Sequence, residues 1–130
     1  LEPFALSLVN TVDTMLRFLD EVDLPEVVAA NCDISHLYLM EIDPSEVRRL
    51  AGRIAHVHLS DCDGKVHGDL PPGRGAVPID QYLAEIRDSG FDRVVSIELE
   101  YSPDPERIVE WVTEAYDKTD AIMQNLKCRH

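Results

Sequence analysis

Ile54-Ala55-His56-Val57-His58-Leu59 is a short β-rich run, followed by a polar, turn-rich stretch from Asp61 to Gly75 and then by helically spaced Tyr82, Leu83 and Ile86, closing at Gly90. Strand, long loop and helix make one βα unit, and the same order recurs on both sides of it. Upstream, Val27-Val28-Ala29-Ala30-Asn31 reads as a strand. Asp43-Pro44-Ser45-Glu46 then opens a helix, with an N-cap, a proline at the first helical position and an acid three residues after the cap. Further upstream, a strand end at Leu1-Glu2-Pro3-Phe4 leads to a helix capped by Asn10, with Asp13 in its first turn and Val12, Met15, Leu16, Leu19 and Val22 on one face. Downstream, Val94 to Leu99 is the fourth strand. Pro103 to Pro105 starts a helix whose face is Ile108, Val109, Val112, Ala115 and Tyr116, and residues 126–130 read as a frayed tail. The pattern predicts an α/β fold of four consecutive βα units in a single domain, 1–130.

The 130 residues carry 12 Lys and Arg against 25 Asp and Glu, a net charge of −13. So negative a surface repels phosphate backbones and anionic headgroups, which argues against nucleic acid and membrane partners. With 45% hydrophobic and 28% charged residues the chain can bury a core. No apolar run approaches the roughly 20 residues of a membrane span, and no basic-led apolar segment opens the chain. Cys32, Cys62 and Cys128 fit no zinc or disulfide spacing and read as free thiols, so a cytoplasmic location is expected.

In parallel α/β architectures the working residues sit at the C-terminal ends of strands, where the βα loops form one face. Here those ends carry Glu2, then Asp33 and His36, then His58, then Glu98. Two Glu, one Asp and one His from four successive strands form a mixed oxygen and nitrogen set suited to one divalent cation, Mn²⁺, Mg²⁺, Co²⁺ or Zn²⁺.

The runs Leu1-Glu2-Pro3-Phe4, Asn31 to Leu37, His56 to Gly64, Pro71-Pro72-Gly73-Arg74-Gly75 and Val94 to Glu100 together resemble the C-terminal half of the xylose isomerase-like TIM barrels. The likeness is to the sugar epimerases and isomerases related to D-tagatose and D-psicose 3-epimerase, with inosose dehydratase and endonuclease IV as more distant relatives. It implies the second half of a (β/α)8 barrel, with metal ligands Glu2, Asp33, His58 and Glu98 and a substrate contact from His36. Glu98 is preferred to Glu100 because the register after Gly90-Phe91-Asp92 matches the family's ligand. The implied chemistry is proton transfer beside a carbonyl. A bound dication polarises the carbonyl and stabilises the enediolate, while two carboxylates, which Glu2 and Glu98 resemble, exchange protons with opposite faces of one carbon.

The ketose 3-epimerases carry an Arg six residues after the metal His, where this chain has Gly64. Lys65, His67 and Arg74 are the replacements the longer loop offers, and His67 and Arg74 join His36 as substrate-binding candidates. His56 reads as an interior, hydrogen-bonded histidine, Asp61-Cys62-Asp63-Gly64 as an Asx turn, and Pro72-Gly73-Arg74-Gly75 as a turn rather than a phosphate cradle. Cys32 reads as a small buried hydrophobe.

A complete barrel takes about 250 residues, so the chain supplies half and begins at the last residues of strand five. An inward row of Val28, Ala30, Ile54, Val95 and Ile97 would face the other half, and exposing it predicts self-association, with a homodimer as the simplest outcome. The expected function is a metal-dependent isomerase or epimerase of a small sugar or polyol. The alternatives are a non-catalytic metal-binding or interaction module and an endonuclease IV-like hydrolase. The hydrolase is opposed by the charge and by Lys65 where a ligand would be needed.

Overall fold

The computed structural model describes residues 1–100 and 104–128. Three parallel strands, β1 (Ala30–Asp33), β2 (Ile54–Leu59) and β3 (Val95–Ile97), lie in the order β1-β2-β3. They are the second, third and fourth strands of the sequence reading. The first is represented by Leu1, whose amine donates to the Ala29 carbonyl at 2.8 Å and whose carbonyl accepts from Asn31 N–H at 2.7 Å, ladder bonds beside β1. The helices are α1 (Val12–Val22), α2 (Ile34–Leu39), α3 (Ile79–Asp88) and α4 (Ile108–Asn125), with 3₁₀ turns at Pro44–Leu50 and Pro105–Arg107. Pro103, the expected start of the last helix, lies outside the described residues.

Local chemistry shifts several boundaries. Helix α1 is capped by Thr11, not Asn10, because two threonines three apart satisfy each other's orphan donors. Thr11 Oγ1 accepts from Thr14 N–H at 3.1 Å and Thr14 Oγ1 from Thr11 N–H at 3.0 Å. Strand β1 begins at Ala30 rather than Val27, since the N–H groups of Val27 and Val28 both turn back to the Leu24 carbonyl. Asp43 caps its helical segment as expected, but the segment is 3₁₀. Asp33 ends β1 and caps α2, a short helix that the sequence reading passed over.

The register separates two faces of the sheet. Cys32 pairs with Val57, Val57 with Val95 and Leu59 with Ile97, so these side chains share one face. Cys32, Val57 and Leu59 are fully buried there in a core with Met15 and Leu19 of α1, Leu37 of α2 and Tyr82 and Ile86 of α3. On the opposite face the partners are Asn31 with His56, Asp33 with His58 and His58 with Ser96. The expected inward row is therefore corrected. Val95 and Ile97 face the helices, Val28 lies in the turn before β1 and Ala30 is buried in the core, while Ile54 keeps the face of His56 and His58, which past it is polar.

Helix α4 also turns differently. It buries Trp111, Ala115 and Thr119, while Val109, Val112 and Tyr116 of the expected face are exposed. On the buried side the Arg74 guanidinium lies 4.2 Å from the Trp111 ring centroid and pairs with Glu114, and Ile122 and Met123 pack against the core. After α4, the N–H groups of Lys127 and Cys128 bond back to the carbonyls of Gln124 and Met123. Residues 129–130 of the tail lie outside the described residues. Among the described residues no helix is long and apolar enough to cross a membrane.

Candidate metal centre

Pairing of Asp33 with His58 puts a carboxylate and an imidazole side by side at the C-terminal ends of adjacent strands. Glu98 follows β3, its N–H donating to the Leu59 carbonyl at 3.0 Å, which extends the ladder by one residue and brings its side chain to His58. Glu2 arrives from beyond the other edge and is held by Asn31, whose Nδ2 donates to Oε2 at 2.5 Å. Around His58 Nδ1 stand Glu98 Oε1 at 3.2 Å, Glu2 Oε2 at 3.5 Å and Asp33 Oδ2 at 3.9 Å. The four sequence candidates Glu2, Asp33, His58 and Glu98 thus converge, whereas Glu100 is exposed. Buried His58 Nδ1 makes no hydrogen bond despite these three oxygens. A buried imidazole nitrogen facing three carboxylates is a donor set that fits a divalent cation.

Asp33 is fully buried and also accepts the His36 N–H at 2.9 Å, so the cap of α2 fixes both the carboxylate and the histidine three residues on. His36 Nε2 lies 3.7 Å from Glu2 Oε1, and its ring stacks on His67 with centroids 4.1 Å apart. His67 Nε2 is 3.3 and 3.4 Å from the two Asp33 oxygens, and its Nδ1 is 3.0 Å from buried Asp69 Oδ1. Arg74 is not brought to this cluster, since its contacts run to Glu114 and Trp111 of α4. His56 meets His58 edge to face at 5.2 Å.

Three residues contribute in roles that the sequence reading did not give them. Asn31 and Asp69 each sit two positions from a candidate, Asp33 and His67, and that spacing was the available signal. The third is Asp61, whose buried carboxylate accepts N–H groups of Cys62 at 2.8 Å, Gly73 at 2.8 Å, Gly75 at 2.9 Å and Val77 at 3.0 Å. It winds the loop that carries His67. A Cβ at Gly75 would collide with the Cys62 carbonyl and the Asp61 carboxylate, so only glycine permits this approach. Asp63 forms the expected Asx turn, accepting from Lys65 and Val66 N–H at 2.8 and 3.0 Å. Gly64 has φ +81° and faces the Tyr38 ring, so the family's arginine would be strained at that position.

The cluster divides its carboxyls by environment. Burial, a hydrogen bond shared with Asp33 and the charges of Asp33 and Glu2 push Glu98 up to about 7, against the pull of His58. Burial also pushes Asp33 upward, but bonds from His67 and the His36 N–H outweigh it and hold the carboxyl below its ordinary value. His67 is raised, chiefly by its bond to Asp33, and His36 is lowered, chiefly by burial. Near neutral pH one carboxyl of the adjacent pair is charged and the other is poised to hold a proton.

A parallel sheet with carboxylates and imidazoles gathered at its strand ends, groups that could hold a metal ion, makes an α/β barrel segment. The chain belongs to the xylose isomerase-like TIM barrel family, whose model matches residues 1–119. Among solved structures it is similar to an L-ribulose 3-epimerase, with TM-score 0.77 and 17% identity over 98% of this chain and 47% of that one. It is also similar to a D-psicose 3-epimerase from Clostridium cellulolyticum H10 solved with D-tagatose, with TM-score 0.76 and 19% identity over 95% of this chain and 48% of that one. A D-tagatose 3-epimerase-like protein matches with TM-score 0.64 and 21% identity over 92% and 47% of the two chains. The chain therefore spans about half the length of these structures, and its fold is half of their barrel. No curated protein matches it in a sequence comparison.

Proposed function

We propose that this chain is the metal-binding half of a sugar isomerase or epimerase that moves a proton at a carbon beside a carbonyl. The observation that carries the reading is the convergence of Glu2, Asp33 and Glu98 on the unbonded Nδ1 of His58. Glu2, Asp33, His58 and Glu98 hold the cation, which when bound withdraws electron density from a substrate carbonyl and its neighbouring hydroxyl. Glu98, whose carboxyl sits at about 7 in the metal-free cluster, is the acid/base on one face of the carbon. Glu2, held by Asn31 across the cluster, serves the other face of the carbon. Asp33, kept charged, orients His36 through the α2 cap, and the stacked His36 and His67 face the substrate. Arg74 is left out of this role because Glu114 and Trp111 engage it. The unpaired cysteines, two of them buried, suit a reducing cytoplasm.

The test is solvent isotope incorporation by the enzyme carrying both barrel halves. Turnover of ketoses in D₂O should place deuterium on the epimerised or isomerised carbon. Product formed with no exchange, in the wild type and in slowed variants alike, indicates hydride transfer and refutes the reading.

A further inference from the structure

A cavity of about 660 Å³ lies between α3, the start of β3 and the end of α4, at the opposite end of β3 from Glu98. Its size and make-up, apolar walls with a few charged groups, are those of a small-molecule site. Leu83 and Ile86 of α3, with Phe91, Val95 and Met123, form the walls. At the exposed rim stand Arg87, Arg93 and Lys127 with one acid, Asp92. In a chain of net charge −13, three cations to one acid around a single cavity inverts the local sign. The three cations are not equally engaged. Arg87 pairs with Asp88 at 2.7 Å and donates to the Leu126 carbonyl at 2.5 Å, which offsets the negative end of the α4 dipole that an anion would otherwise meet. Among the described residues, neither Arg93 nor Lys127 has a carboxylate partner, and Arg93 is the one arginine in no ion pair. Lys127 has φ +56° in the turn that ends α4, where its own N–H and that of Cys128 return to the carbonyls of Gln124 and Met123. Glycine is the usual residue at that left-handed position, yet here a lysine takes it and lines the cavity.

We propose that this cavity binds a small anion with an apolar body, its carboxylate or phosphate held by Arg93 and Lys127 and its chain lying against Phe91, Val95 and Met123. A guanidinium with no other partner can pair two oxygens of either head group in parallel. The apolar walls reward the body, and the unpaired cations reward the charge. The site shares no residue with the metal centre and does not rest on the reading under Proposed function.

The test is calorimetric titration of the full chain with octanoate and with octyl phosphate, beside octanol and acetate, which carry the body or the head alone. One amphiphile at least should saturate a single site, about tenfold or more tighter than octanol or acetate, and the tighter of the two identifies the head group. Arg93→Ala should weaken that binding about tenfold and Lys127→Ala several-fold. Both side chains are exposed, so neither variant endangers the fold. Half-buried Cys128 on the cavity wall gives a second readout, since saturating ligand should slow its alkylation by iodoacetamide while Cys32 and Cys62 are already buried. Octanol binding as tightly as either amphiphile overturns the anion. Binding that survives both variants with Cys128 unprotected lies elsewhere and overturns the site, as does the absence of saturable binding.

Discussion

The two faces of one three-stranded sheet have opposite chemistry. Cys32, Val57 and Leu59 point to the helices and are fully buried, while Asn31, Asp33, His56, His58, Ser96 and, just past the strand, Glu98 occupy the other side. A period of two lets the same few residues build the core and the site. The difference teaches that stability and chemistry are carried by alternate positions, so each can be perturbed with little effect on the other. It also makes the open face of the strands, beyond Ile54, one of carboxylates and imidazoles.

The largest expected effect falls on the polar side. Glu98→Gln in the enzyme bearing both halves should lower turnover by about 10²–10⁴-fold, the usual contribution of a general acid/base, with its circular dichroism spectrum unchanged. Turnover within a few fold of wild type would take Glu98 out of the chemistry. On the apolar side, Leu59→Ala should cost about 2–5 kcal/mol in urea denaturation. Ser96→Ala, on the other face, should stay within about 0.5 kcal/mol. Equal costs would erase the distinction between the faces.

Asp61 lies between these two behaviours, a buried acid that organises the loop above the site. Asp61→Ala orphans four N–H donors and should cost about 2–3 kcal/mol. It should also weaken cation binding, because His67, which contacts the Asp33 carboxylate, loses its support, and an unchanged affinity would detach the loop from the site.

A smaller effect follows from protons. Glu98 is protonated up to about 7 in the folded chain, and a cation taking that carboxylate must displace the proton. Affinity should therefore be flat above pH 7 and fall toward tenfold per pH unit below it, about 1.4 kcal/mol. The metal-free chain should show the opposite sign. A carboxyl raised on folding gives stability that is fully present below its ordinary value and is lost as pH rises through about 7. Titrations at pH 6 and 7.5, with Glu98→Gln as the flattened control, measure both.

The sequence was most legible where alternation is unbroken. Ile54–Leu59 is the strand it appeared to be, because histidines spaced by two can share a face only if the run is extended. The set Glu2, Asp33, His58 and Glu98 followed from strand ends without any knowledge of contacts. Val27 and Val28 misled, since β-branched residues counted as strand sit in a turn closed on Leu24. Helix α4 has apolar residues on more than one side, and the side it buries meets Arg74 through Trp111, a contact across 37 residues of chain that no local pattern encodes. Asp61 read only as a turn residue for the same reason, as its partners lie up to 16 residues downstream in a loop of irregular path.

Calorimetric titration of the metal-stripped chain with Mn²⁺ tests the central claim most directly, comparing the wild type with Asp33→Ala, His58→Ala and, on the same face of the same strand, His56→Ala. Affinity should fall at least tenfold, about 1.4 kcal/mol, in the first two variants and hold in the third. Equal affinity in all four proteins would contradict the assignment of the metal centre to these strand ends.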